Sequence, residues 1–169
     1  MLFDPETGLV ESQLVITERN DAPTDADGFV LGRGDQAGVD GAELVAGTNF
    51  LAMGIYTRSD IASIAATTPY DTLETLPALS YDRHSVLVEV PQGGQTVLTI
   101  DMTAQYEPER YDVFIPAQAT ANIGDFALTV RPVDGWRIVA DDVAPDGSWH
   151  TTFESDEARG FSFTFERTN

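Results

Sequence analysis

Apolar and polar residues alternate with period two along most of the chain. Each alternating run is closed by Gly, Pro, Asn or Asp, a pattern that predicts short strands joined by turns. About nine runs meet that criterion. Residues 13–19 place Leu14 and Ile16 on one face and Val15 and Thr17 on the other, 28–31 form a candidate edge strand, and 49–56 a stronger one. Residues 85–90 send Val86, Val88 and Val90 to one side, and Pro91-Gln92-Gly93-Gly94 leads into 95–102, where Leu98, Ile100 and Met102 face inward. That pair predicts a β-hairpin. Residues 111–115, 125–130, 136–140, 149–153 and 161–165 follow, at a spacing close to the roughly 8–12 residues of a sandwich or barrel. Phe161, Phe163 and Phe165 alternate with Ser162, Thr164 and Glu166. Three rings in line on one face read as a core strand, and Trp136 and Trp149 read as core for the same reason.

Three stretches depart from this pattern. Ser59 can cap a helix over 60–66, where Ile61, Ile64 and Ala65 fall at helical spacing and Thr67-Thr68-Pro69 ends the run. Residues 32–47 and 68–83 have little periodicity and read as long loops, of the kind that commonly carry contacts. Asp4-Pro5 and Thr7-Gly8 punctuate residues 1–12 before any strand begins, which reads as an extended N-terminal arm. At 169 residues the chain suffices for one domain of ordinary size. The expected architecture is therefore all-β: an antiparallel β-sandwich, with a jelly roll as one form of it, long loops and at most one short helix. The arm would cover 1–12 and a single sandwich domain 13–169.

Composition adds a constraint on solvent. Asp and Glu number 28 against nine basic residues, all of them Arg, for a formal net charge of -19. In dilute buffer such a surplus repels itself and penalises the compact state, whereas at molar salt the Debye length shrinks to ~3 Å. The carboxylates are spread singly from Asp4 to Glu166, which suits a solvated fold rather than an acidic tail. A hydrophobic content of 42% also separates the chain from disordered acidic segments. Direct nucleic-acid binding is not expected, because phosphate contacts need clustered Lys or Arg and these arginines are scattered. With no cysteine, disulfides, thiol catalysis and Cys-type metal sites are excluded. The first residues lack a basic region followed by an apolar one, and no apolar run approaches the ~18 residues of a membrane span.

The candidate chemistry is thin. Asp25-Ala26-Asp27-Gly28 resembles the centre of a calcium loop, but registering Gly28 on the pattern's glycine puts Pro23 at the first ligand and Gly34 at the closing Glu. Asp21, Asp25 and Asp27 are then a compositional cluster, and Asp141, Asp142 and Asp146 surround a Pro-Asp-Gly turn that favours Asp for its local hydrogen bonds. His84 and His150 are the available imidazoles, with no Gly-x-Ser-x-Gly elbow beside them. Paired carboxylates for glycoside hydrolysis are too numerous to choose among. Arg33-Gly34-Asp35 reads as a loop whose glycines supply positive φ, and Gly32-x-Gly34 opens no helix with a third glycine in register. No catalytic, cofactor-binding or metal residue is assigned, and no cofactor is expected.

Lys-free acidity of this kind resembles that of proteins of haloarchaea and their viruses. In size, β content and acidity the chain is similar to the small single-jelly-roll capsid proteins of such viruses; composition and architecture carry the resemblance, not a motif. It implies a non-enzymatic virion structural protein, capsid or capsid-attached, that self-assembles in high salt. Its partners would be copies of itself and other virion proteins, and it would be assembled in the host cytoplasm and located in the virion. Turret, decoration, neck and tail proteins of tailed haloarchaeal viruses fit the same description. Under that reading the arm and the two loops meet neighbouring subunits, with Arg33, Arg58, Arg83 and Arg110 as partners for their carboxylates. The alternatives are a carbohydrate-type binding module, which needs exposed aromatics on one sheet face, and a small hydrolase using Asp or Glu.

Overall fold

A computed structural model describes residues 1–23, 38, 41, 45–108, 110–117 and 125–168. Among them every regular element is a strand: β1 (Leu2–Phe3), β2 (Leu9–Arg19), β3 (Asn49–Thr57), β4 (Asp60–Ala66), β5 (Tyr70–Ala78), β6 (Tyr81–Val90), β7 (Gln95–Gln105), β8 (Arg110–Ile115), β9 (Asp125–Pro132), β10 (Trp136–Ile138), β11 (Trp149–Glu154) and β12 (Arg159–Arg167). The chain is an all-β, predominantly antiparallel sandwich protein, as its patterning requires. It divides into two compact units, Met1–Ser12 with Thr103–Asn169, and the contiguous Gln13–Met102. The boundaries fall inside β2 and β7. No helix among the described residues is long and apolar enough to cross a membrane.

In the first unit β11, β9, β1 and β2 lie side by side, and β10, β12 and β8 form a second sheet. Phe3, Val10, Leu128 and Val130 of the former and Tyr111, Ile138, Phe163 and Phe165 of the latter are buried in one cluster. Trp149 sets its edge against Phe161 and Phe163 at 5.3 and 5.0 Å. The three phenyl rings of β12 are thus core, and Trp136 packs against the same cluster. Burial pushes the Tyr111 hydroxyl well above the usual phenol range, reinforced by Tyr106.

Residues 1–12 are not a free arm. β1 pairs antiparallel with β2 and parallel with β9, and Phe3 is fully buried with its ring 4.6 Å from Phe165 and 5.3 Å from Tyr111. The punctuation at Asp4-Pro5 and Thr7-Gly8 makes a turn. The Asp4 carboxylate accepts from the Glu6 N–H at 2.9 Å and the Thr7 hydroxyl at 2.7 Å, and the Gly8 N–H donates to the Asp4 carbonyl at 2.7 Å. Gly8 has φ +77°, and a Cβ there would sit 2.1 Å from the Tyr106 carbonyl oxygen. Only glycine fits that position.

In the second unit β2, β7 and β4 are neighbours in one sheet and β3, β6 and β5 in another. Ile55, Val86, Val88, Val90, Leu98 and Ile100 are buried together, flanked by Leu14, Ile16, Leu51, Met53, Ile61, Ile64, Ala66 and Met102. Three expectations are corrected here. The strands on either side of Pro91–Gly94 are not a hairpin: β6 and β7 belong to different sheets, so their valines and Leu98 and Ile100 meet across the sandwich. Asn20 holds the turn open as an arch. Its side-chain amide donates to the Gly47 and Val90 carbonyls at 2.7 and 2.9 Å, while its backbone exchanges bonds with Gly93 and Gly94 at 2.8 and 3.0 Å.

Residues 60–66 are strand β4 rather than a helix. Seven residues are too few to nucleate a helix alone, and pairing with β7 satisfies the backbone while Ile61 and Ile64 still reach the core. The stretch expected as a loop over 68–83 is mostly strand. β5 pairs with β6, but Thr72 lies opposite Val86 and Thr75 opposite His84, so two residues, Leu73 and Glu74, oppose Ser85 alone. That bulge shifts the alternation by one position and erases the period-two signal. The candidate strand 28–31, the tripeptide Arg33-Gly34-Asp35, Asp25, Asp27 and most of the loop expected over 32–47 lie outside the described residues.

Candidate functional site

The two sheets of the second unit present different outer faces. On the β2-β7-β4 sheet the exposed side is closed by polar pairing: Asp101 accepts from the Gln13 amide at 2.9 Å and from the Ser63 hydroxyl at 2.7 Å. These bonds hold its carboxyl below the usual range, the Gln13 bond more than the Ser63 bond.

The outer face of the β3-β6-β5 sheet is built differently. Register places Phe50, Ala52, Gly54 and Tyr56 of β3 beside Glu89, Leu87, Ser85 and Arg83 of β6, with Asp71 and Leu76 of β5 opposite Leu87 and Arg83. Val86 and Val88, at the alternate positions, are fully buried, so the named row points outward. Phe50, Leu76, Tyr81 and Tyr56 are all substantially exposed, Tyr56 at 59%. Monomeric surfaces rarely leave contiguous apolar groups uncovered, and where they do the patch usually meets a partner.

The hairpin joining β5 to β6 projects from one end of this face. Ala78 pairs with Tyr81, leaving Leu79 and Ser80 as a two-residue loop. Leu79 has φ 60° and is completely exposed. Tight hairpin loops of this kind favour Gly or Asn at positive φ, so a leucine here is both strained and unburied. Arg58 braces the loop, donating to the Ser80 carbonyl and hydroxyl at 3.1 Å each and lying 4.9 Å from the Tyr81 ring centroid. The Arg83 guanidinium reaches Glu74 at 3.7 Å, and its buried Nε–H has no acceptor among the described residues.

On the other side of β5 lies a groove of about 460 Å³ whose lining includes Ile61, Ile64, Leu73, Thr75, Asp82 and His84. The bulge at Leu73–Glu74 shapes its rim, and Thr75 Oγ1 bonds His84 Nδ1 at 3.0 Å. His84 therefore gains a hydroxyl neighbour from across the ladder, not from the adjacent Ser85. His150 lies on β11 opposite Thr129 and belongs to the other unit.

Of the acidic clusters, Asp146 is a turn residue: it accepts from the Ser148 hydroxyl at 2.6 Å and backbone N–H at 3.1 Å, and pairs with Arg131 at 2.8 Å. Ser148 holds its carboxyl below the usual range, with Arg131 adding to the effect. Asp21 pairs with Arg19 at 2.9 Å. Among the described residues no group of three His, Asp or Glu could hold a metal ion. Of the arginines proposed as subunit contacts, Arg110 pairs with Asp112 at 3.0 Å, Arg58 and Arg83 frame the exposed face, and Arg33 lies outside the described residues. Sequence reasoning missed the face itself. The signal was present in Phe50, Tyr56, Leu76 and Tyr81, residues too apolar for a solvated surface, but β5 had to be recognised as a strand before they shared a side.

Compared with protein-family models, curated proteins and solved structures, the chain matches none.

Proposed function

We propose that this protein is a non-enzymatic structural subunit that assembles with copies of itself in concentrated salt, the outer face of the β3-β6-β5 sheet being its main contact surface. The observation that carries the reading is that face: an apolar, aromatic sheet surface on a chain of net charge -19. Screening removes the long-range repulsion between like-charged subunits and leaves apolar contact to hold them. The Lys-free acidity supports a haloarchaeal virion as the setting, in a capsid or in a turret, decoration, neck or tail part. Sedimentation in molar salt is expected to show oligomers that dissociate and lose structure on dialysis to low salt. A compact monomer under both conditions overturns the proposal.

The groove beside β5 favours a second reading, a binding module of the carbohydrate type, since its size lies within the range of small-ligand sites and hydroxyls mix there with aliphatic carbons. Both tryptophans pack against the core of the first unit, so the aromatic row such modules use would have to come from tyrosines. Oligosaccharide binding that Thr75→Ala or His84→Ala abolishes would establish it over the assembly reading.

A further inference from the structure

Free sheet edges invite pairing with another chain, and proteins guard them with charge, proline, bulges or short strands. Among the described residues five of the strands that end a sheet are guarded in these ways. β5 has its bulge, Asp71 and Pro77; β8 carries Arg110 and Asp112 and β11 Glu154; β10 is three residues long and includes Arg137. β4 opens on Asp60, and its Ile64 carbonyl accepts from the Tyr70 hydroxyl at 2.8 Å. β3 has none of these features. Its nine residues, Asn-Phe-Leu-Ala-Met-Gly-Ile-Tyr-Thr, hold no charge and no proline, and they pair with β6 without a break in register.

The direction of its backbone groups follows from β6. The Glu89 N–H donates to the Pro69 carbonyl and the Glu89 carbonyl accepts from the Thr68 hydroxyl, so the odd-numbered residues of β6 bond toward β5 and the even-numbered ones toward β3. Pro77, opposite Asp82, accordingly gives up no ladder bond. Val86 and Val88 lie opposite Met53 and Leu51, so those two residues of β3 bond to β6, while Phe50, Ala52, Gly54 and Tyr56 turn their N–H and C=O groups to the outer edge.

Resting on the assembly reading above, we propose that β3 pairs antiparallel with β3 of a second copy about a twofold axis through Met53, joining two three-stranded sheets into one of six strands. The strand reads nearly the same in both directions. Centred on Met53, Asn49 opposes Thr57, Phe50 opposes Tyr56, Leu51 opposes Ile55 and Ala52 opposes Gly54, so polar meets polar, aromatic meets aromatic, branched aliphatic meets branched aliphatic and small meets small. Such matched cross-strand pairs stabilise a sheet, and a twofold contact must be self-complementary in this way. Both faces continue: Leu51, Met53 and Ile55 stay with the core, and Phe50 and Tyr56 stay outside. The next register that keeps the faces, two residues away, opposes Phe50 to Gly54 and Tyr56 to Thr48. The Tyr56 ring already lies over Gly54, within 3.3 Å of where a Cβ would be, and the partner's Phe50 would stand beside it. The four outward residues of each copy exchange about eight backbone hydrogen bonds. With no charge in the strand, the pairing opposes no like charges on a chain of net charge -19. It also doubles the apolar outer face, which remains open to further copies.

The test uses the full chain in molar salt, with association followed by analytical ultracentrifugation and folding by circular dichroism. Ala52→Pro removes an N–H that points away from β6, a position where edge strands tolerate proline, and leaves Phe50 and Tyr56 in place. It is expected to weaken self-association roughly tenfold or more. The chain has no cysteine, so Met53→Cys introduces a single thiol. On the twofold axis the two Cα atoms of position 53 lie about 4.5 Å apart, within disulfide range, and oxidation should give a covalent dimer. Leu87→Cys, one strand in on the outer face, should stay unlinked; stacking of two outer faces would link it instead. A folded Ala52→Pro that associates like the parent, or Met53→Cys that stays unlinked while the parent is oligomeric, overturns the edge pairing and leaves the assembly reading standing. A parent that is monomeric in molar salt overturns both. Should Ala52→Pro fail to fold, the contrast between the two thiols decides.

Discussion

Leu79 stands at φ 60° with its side chain in solvent, a conformation that costs an L-residue roughly 1–2 kcal/mol and glycine almost nothing. Leu79→Gly should therefore raise stability by about 1 kcal/mol, read from the denaturant midpoint of the dissociated chain; no gain would mean the turn carries no strain. Phe3 makes the opposite case. Its burial against Tyr111 and Phe165 predicts a loss of about 3–5 kcal/mol for Phe3→Ala. A free arm would lose nothing. Gly8→Ala forces a methyl onto the Tyr106 carbonyl and should cost about 2 kcal/mol or more by overpacking and strain. Equilibrium unfolding in molar salt measures both.

Asp4, Asp101, Asp112 and Asp146 all have carboxyls held below the usual range by hydrogen bonds, chiefly from Thr7, Gln13, Ser162 and Ser148 respectively. Each ties an element together: the β1–β2 turn, the β2-β7-β4 face, the β8–β12 ladder and the turn before β11. A depressed folded value adds stability that is complete above the unfolded value near 3.8 and is lost as pH falls through the folded one. In molar salt, melting temperature should hold constant above about pH 5 and fall below about pH 4, and Asp101→Asn should shallow that fall. At this scale the sequence was informative where one face of a strand is buried and uninterrupted, as in β12 with its three phenyl rings or β6 with Val86, Val88 and Val90. It was uninformative where the pattern is broken by a bulge, as in β5, or where Ile61 and Ile64 sit three apart on a strand and mimic a helix. The arch at Pro91–Gly94 was hidden for another reason. Turn residues show where the chain reverses but not whether the two strands share a sheet, which here depends on Asn20, some seventy residues away. The exposed sheet face needed β5 and its register and could not be read from alternation alone.

At the scale of the whole molecule the net charge of -19 is a self-repulsion that salt screens. Its division into units has a separate consequence for synthesis. The second unit is one unbroken stretch, whereas the first joins Met1–Ser12 to Thr103–Asn169, with Leu2 beside Arg131 on β9. Long-range pairings of that kind close late, because the loop entropy comes before the reward. In refolding followed by pulsed hydrogen exchange, amides of β3, β5 and β6 should gain protection before those of β1 and β9; simultaneous protection would contradict this. On a ribosome, the nascent chain would hold Phe3 uncovered while the middle unit forms, and only the emergence of β9 and β12 would give it a place. The wait is set by the length of chain that separates β1 from β9 and β12, not by the strength of any contact in the finished fold.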